Sequence, residues 1–244
     1  MKLGLDCPTS WLEYIQTYAD YDYVLVEKCL SDEAYLNFFK NSPKEKLLNN
    51  RLMGADMPRQ LEDVVKVWEI LGGTVIAPDW GNDHIRTIDA YGICCEEVGW
   101  ENVIGVIQTT NESNILECLE IYGDKVAVGF DVGSEHEDEE EDKMHRRIKV
   151  VRQLEGKKVH LLGMTSPGEL ISYRYMSNVE SLNSGLPVLL GFKGMRLLSG
   201  RRVKDVSSYN YMDMDDPPWN ENIFDLIESN IADLRFLLTG ELET

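Results

Sequence analysis

The chain has 244 residues, of which 43% are hydrophobic and 27% charged, and a formal net charge of −19. That length can bury a substantial core, and no apolar run approaches the roughly 18 residues that a membrane span requires. The acidity argues against a broad nucleic-acid interface, because phosphate neutralisation supplies much of that affinity.

Taken in order, the chain alternates short apolar runs with helix-sized intervals. Residues 3–5 read as a strand, and Thr9 or Ser10 is placed to cap a helix through Trp11, Tyr14, Ile15 and Tyr18. A β-branched strand at 23–26 follows, then Ser31 and Asp32 before a helix carrying Tyr35, Phe38 and Phe39. Residues 46–48 form a third strand that runs into a polar loop over 49–58. Residues 60–71 give the clearest helix, with Leu61, Val64, Val65, Trp68 and Leu71 on one face and Gly72-Gly73 ending it.

The same alternation continues through a strand at 74–77, a helix at 83–98, a strand at 103–107, a helix at 113–122 and a strand at 126–130. A block of acids over 135–142 reads as a solvated surface segment. A helix over 144–154, a strand at 158–162, a helix within 166–178 and a strand at 179–182 come next. After Val188 the pattern loosens, 209–219 reads as an irregular loop, and 223–238 closes the chain as an amphipathic helix.

Eight strands alternating with helices in about 250 residues predict a single-domain α/β fold of the (β/α)₈ barrel type. A doubly wound open sheet is the alternative, disfavoured because no GxGxxG follows the first strand. The five cysteines have no CxxC spacing and the four histidines no HxxxH or HxH spacing, so neither signals a metal site. The expectation is a protein with no metal and no cofactor. Asp6 interrupts the start where a signal peptide needs a continuous apolar core, so a cytoplasmic location without a membrane partner is expected.

In a barrel, ligand chemistry gathers at the carboxyl ends of the strands. Those ends present Asp6, Glu27, Asn49, Asp79, Gln108, Asp131, the 160–164 segment beginning at His160, and Asn183. Amides and carboxylates on opposed loops suit a neutral, hydrogen-bond-rich ligand such as a nucleobase and suit a bare anion poorly. Lys193, Arg196, Arg201 and Arg202 form a local basic patch through which nucleic acid could dock, with an ordinary solvated surface as the alternative. Arg146, Arg147, Lys149 and Arg152 make another local basic patch. The oligomeric state is open, and a homo-oligomer is compatible with the sequence.

The order and spacing of Ala77-Pro78-Asp79, Val106-Ile107-Gln108, Val128-Gly129-Phe130-Asp131, His160-Leu161-Leu162-Gly163 and the 181–187 segment SLNSGLP resemble the tRNA-guanine transglycosylase superfamily. The likeness covers roughly residues 23 to 190 and is to the short, phage-type members that lack the zinc subdomain. It implies a barrel acting on guanine or 7-deazaguanine, by base exchange or N-glycosidic cleavage. Asp79 would read the base with Gln108 as its amide partner, and Gly129 would line the pocket. Asp131 and His160 would complete the substrate-contacting set. Asn183 stands where the family keeps its nucleophilic aspartate and Asn49 where it keeps the acid/base aspartate, with Asp56 the nearby acid able to substitute. A neutral amide is a poor nucleophile and no general base. A barrel that captures a nucleobase or nucleotide without turnover is therefore the alternative, and an acidic interaction protein with a vestigial pocket is a third.

Overall fold

A computed structural model of the chain describes residues 1–50, 61–81, 83–129, 140–164, 167–198 and 219–241. Asp56, Asp131, Arg201, Arg202 and most of the acidic 135–142 segment lie outside them. Eight strands are present: β1 (Lys2–Leu5), β2 (Asp22–Leu25), β3 (Lys46–Asn49), β4 (Thr74–Ile76), β5 (Val103–Ile107), β6 (Lys125–Val128), β7 (Lys158–Leu161) and β8 (Val179–Ser184). They pair in parallel in the order β1-β8-β7-β6-β5-β4-β3-β2. The helices are α1 (Leu12–Ile15), α2 (Val26–Ser31), α3 (Glu33–Asn41), α4 (Leu61–Leu71), α5 (His84–Val98), α6 (Glu112–Ile121), α7 (Glu140–Gln153), α8 (Pro167–Tyr173), α9 (Leu186–Phe192) and α10 (Glu221–Thr239). The protein is the expected single-domain (β/α)₈ barrel.

The seam between β1 and β2 carries one isolated bridge, Gly4 to Tyr21, and a side chain stitches it. The Tyr21 ring crosses β1 and its hydroxyl donates to Leu182 O on β8 at 2.7 Å. Position 4 must be glycine for this, because a Cβ there would lie 2.6 Å from Tyr21 Cζ. The ring thus replaces ladder hydrogen bonds that two short strands do not supply.

Strand side chains alternate between the barrel interior and the helix-facing layer. The outer set is apolar: Val24, Leu48, Val75, Val126, Val128, Val159, Leu161 and Leu182 are all inaccessible to solvent and pack in the core. Each such burial is worth roughly 1.5–3 kcal/mol, enough to fix the register of every strand. The inner set is much more polar, with Tyr21, Tyr23, Asn49, Gln108, His160 and Asn183 all buried. The helix layer supplies the driving force, and the interior is left for chemistry.

Several boundaries differ from expectation. The first helix breaks into a 3₁₀ turn (Thr9–Trp11), α1 and a second 3₁₀ turn (Gln16–Tyr18). Polar side chains take over its ends: Gln16 Nε2 donates to Leu5 O at 2.7 Å, and Lys44 Nζ donates to the carbonyls of Gln16 and Ala19. Asp32 caps α3 as expected, accepting from Tyr35 N at 3.1 Å. Helix α9 lies where regular order was not expected. Every residue from Leu186 to Gly191 is buried, so the run has no polar face to reveal a helical period. Asn230 on α10 joins the two helices, with Nδ2 donating to Pro187 O and Met195 O and Oδ1 accepting from Leu197 N. Among the described residues no helix is long and apolar enough to cross a membrane.

Candidate active site at the carboxyl ends of the strands

The strand ends are joined by a ring of side-chain contacts, most of them hydrogen bonds between neighbouring strands. Asn49, the last residue of β3, donates through Nδ2 to the Tyr23 hydroxyl on β2. Asn50 donates through Nδ2 to Ile76 O on β4 at 3.2 Å. Asp79, just beyond β4, accepts at Oδ1 from Gln108 Nε2 beyond β5 and from Gly81 N, both at 3.2 Å. Gln108 lies directly over Gly129, beyond β6, and a Cβ at 129 would collide with the Gln108 carboxamide. Asn183 on β8 closes the other side: its Nδ2 donates to Asp6 Oδ2 beyond β1 and its Oδ1 accepts from Gly163 N beyond β7, both at 3.0 Å.

The ring brings together six of the sequence-derived residues, Asp6, Asn49, Asp79, Gln108, Gly129 and Asn183, and adds Tyr23 and Asn50. Burial holds the Tyr23 phenol well above its ordinary range, with the Asp6 carboxylate adding to the effect, so it is a neutral hydroxyl at any physiological pH. Two amide oxygens of the ring are buried and meet no donor among the described residues: Gln108 Oε1, on a residue 8% exposed, and Asn50 Oδ1, on a residue 4% exposed. A buried acceptor left so carries a desolvation penalty of about 1–3 kcal/mol.

His160 lies beneath this ring, within reach of its members Tyr23 and Asn183. It sits inside the barrel with Nδ1 2.9 Å from Ser181 Oγ, stacked on Tyr23 and edge-on to Tyr21. It lines a cavity that opens at the opposite, amino-terminal mouth. Burial lowers its pKa to about 3, the Arg147 charge adds to that, and the Asn183 side chain opposes it. It is therefore a neutral imidazole near pH 7. Its position follows from strand parity, since it lies inside β7 and not beyond it.

Arg147 corrects another expectation. It is 1% exposed, not on the surface. Its guanidinium donates to Val128 O, Leu162 O and Gly163 O at 3.2, 2.8 and 2.9 Å, and Nε lies 3.7 Å from Glu169 Oε1. Glu169 also accepts from the Tyr173 hydroxyl at 2.5 Å. The arginine thus clamps the ends of β6 and β7 beneath the ring. The sequence signal was its spacing: Met144, Arg147 and Val151 share one face of α7. In the other basic patch Arg196 is paired with Asp233 at 3.1 Å.

Barrels often hold phosphate on the loops after strands seven and eight. Here several donors among the described residues of those loops are engaged internally. Gly163 N and Met164 N bond Asn183 Oδ1 and Asn183 O, Leu186 N bonds Ser184 Oγ, and Pro187 has no N–H. None of the eight residues immediately following a strand is lysine. No cluster of three or more metal-ligating side chains occurs among the described residues.

No protein-family model matches the chain. No curated protein matches it either. Among solved structures it is similar to the 4-hydroxy-2-oxoglutarate aldolase/2-deydro-3-deoxyphosphogluconate aldolase from TTHB1, with TM-score 0.53, 10% identity, and 97% of this chain and 94% of that one covered. It is also similar to the tryptophan synthase alpha chain from Legionella pneumophila (TM-score 0.52, 8% identity, 96% and 92% covered) and to the 3-hexulose-6-phosphate synthase from Salmonella typhimurium (TM-score 0.51, 14% identity, 78% and 91% covered). The resemblance to the tRNA-guanine transglycosylase superfamily is overturned, because the matching barrels are of aldolase and synthase type. Short motifs ending in an acid or amide at barrel spacing are a product of the fold itself, and so they do not single out one family. At such identities the likeness establishes architecture alone: this chain is a (β/α)₈ barrel.

Proposed function

We propose that the carboxyl-end ring is a recognition pocket for a neutral heterocycle bearing adjacent N–H groups, a guanine-like nucleobase being the model ligand, and that it captures this ligand without turning it over. The observation that carries the reading is the pair of buried amide oxygens, Gln108 Oε1 and Asn50 Oδ1, which meet no donor among the described residues. A ligand that donates to both relieves two desolvation penalties at once. The Asp79 carboxylate beside Gln108 adds a charged acceptor on the same arc of strands.

Capture is favoured over glycosyl transfer because the amide at position 183 is not a nucleophile and both its ends are engaged. Imine chemistry is disfavoured by the lack of lysine immediately after the strands, and anchoring through phosphate by the engagement of Gly163 N, Met164 N and Leu186 N within the last two loops. The test is a thermal-unfolding screen with guanine, 7-deazaguanine, adenine and cytosine. Guanine-type bases should raise the Tm and Asp79→Ala should abolish the gain; an unchanged gain in that variant, or none in the native protein, removes the assignment.

A further inference from the structure

The amino-terminal mouth of the barrel has the opposite chemistry. A cavity of about 110 Å³ opens there, and its rim holds four lysines, Lys2, Lys46, Lys125 and Lys158, against two carboxylates, Glu45 and Glu180. Four ammonium groups at one opening are unusual in a chain of net charge −19. The carboxylates do not neutralise them. Lys2 pairs with Glu45 at 3.2 Å and Lys158 with Glu180 at 3.7 Å. Lys46 donates to the carbonyls of Ser42 and Lys44. Lys125 meets no partner among the described residues. The Asp22 carboxyl, beside Lys46 in the β2–β3 register, lies within electrostatic reach of that lysine, which leaves Lys125 as the rim lysine with no anionic partner among the described residues.

Below the rim the lining mixes hydroxyls with apolar side chains such as Leu47, Ile104 and Val159. Thr74 and Ser181 line it, with His160 beyond, whose imidazole is neutral near pH 7 and neither attracts nor repels an anion. Hydroxyls below a cationic rim supply both donors and length. This end of a barrel ordinarily contributes stability and not ligand chemistry, and a fully packed plug would serve that purpose better than a lined void.

We propose that this mouth is a second binding site, independent of the carboxyl-end pocket, that takes a small dianion carrying phosphate or two carboxylates. The anionic oxygens sit between Lys125 and Lys158, and the hydroxyls of Thr74 and Ser181 receive the remainder. Lys125 and Lys158 are cross-strand neighbours on β6 and β7, and together they present two positive charges to the anion.

The experiment is calorimetric titration of inorganic phosphate and of succinate into the full chain at pH 7.5, with chloride at matched ionic strength as the control. The two ligands distinguish phosphate from dicarboxylate specificity. Expected is saturable binding of at least one, weakened roughly tenfold or more by Lys125→Glu, as loss of one charge-assisted contact and its replacement by repulsion require. Lys125 is exposed, so the variant should fold normally, and an unchanged circular dichroism spectrum checks this. Asp79→Ala should leave the affinity unaltered, which separates this site from the other pocket. No saturable binding of either dianion, heat equal to that of chloride, or binding undiminished in Lys125→Glu overturns the proposal.

Discussion

Asn183 donates through Nδ2 to Asp6 Oδ2 at 3.0 Å while its own Oδ1 accepts the Gly163 N–H at the same distance. One amide thus ties the ends of β8, β1 and β7, and an aspartate could satisfy only the second of these bonds. Asn183→Asp would set two carboxylates against each other in a buried position. The expected outcome is a loss of about 2–4 kcal/mol at pH 7. The introduced carboxyl would have a raised pKa, so the loss should shrink as the pH is lowered toward 5, where its protonated form can donate to Asp6 again. Denaturant unfolding of both proteins at pH 7 and 5 checks the sign; a variant as stable as the native protein at pH 7 contradicts it.

Gly129 is glycine because the Gln108 carboxamide lies where a Cβ would be. Gly129→Ala should displace Gln108 and cost about 1–3 kcal/mol, the usual range for overpacking. The more telling effect is on the pocket: any stabilisation by guanine should vanish, since Gln108 Oε1 would no longer be presented. Thermal unfolding with and without the base reads both effects in one experiment.

Arg147 holds three carbonyls and faces Glu169 in a solvent-free setting. Removing one partner of a buried pair strands the other. Arg147→Met is expected to destabilise by about 3–5 kcal/mol, and adding Glu169→Gln should recover part of that. A double variant no better than the single would show that the carbonyl bonds, and not the ion pair, dominate.

His160 makes stability depend on pH with a definite sign. Its folded pKa of about 3 lies below the ordinary 6.5, so below about pH 6.5 the unfolded chain takes up a proton that the folded chain refuses. The contribution is fully present above pH 6.5 and declines as the pH falls toward 3, with a slope of at most about 1.4 kcal/mol per pH unit. His160→Gln should show a shallower fall between pH 6 and 4 than the native protein in parallel urea titrations. Identical slopes would mean that this imidazole is protonated as readily in the folded state.

The barrel was legible because its outer strand residues are apolar on a fixed period, as at Val24, Val75, Val126 and Val159, and because helices such as α4 and α10 show one apolar face. The strand-end residues Asn49, Asp79, Gln108 and Asn183 followed from the ends of those runs. What sequence could not give was direction within the barrel. His160 sits among apolar strand residues at the end of a run, and only its pairing with Ala127 and Ser181 reveals that it faces the interior. Arg147 was hidden because four basic residues within seven positions read as a local basic patch until the helical face is drawn. Asn50 and Tyr23 were missed because a second asparagine and a strand tyrosine carry no pattern of their own. The family resemblance failed for a related reason, since its short motifs carried the strand period of a barrel, which chains of aldolase and synthase type share at the level of the fold.

The most direct measurement of the account is equilibrium dialysis of labelled guanine against the native chain, Gln108→Ala and Asp79→Ala, each shown to be folded. The expected result is saturable binding to the native protein, competed by unlabelled 7-deazaguanine and weakened roughly tenfold or more in each variant, as loss of one buried hydrogen bond to a ligand predicts. Failure of guanine to bind saturably, or binding unchanged in both variants, would contradict the claim that the buried amide and carboxylate acceptors of the ring are a base-recognition site.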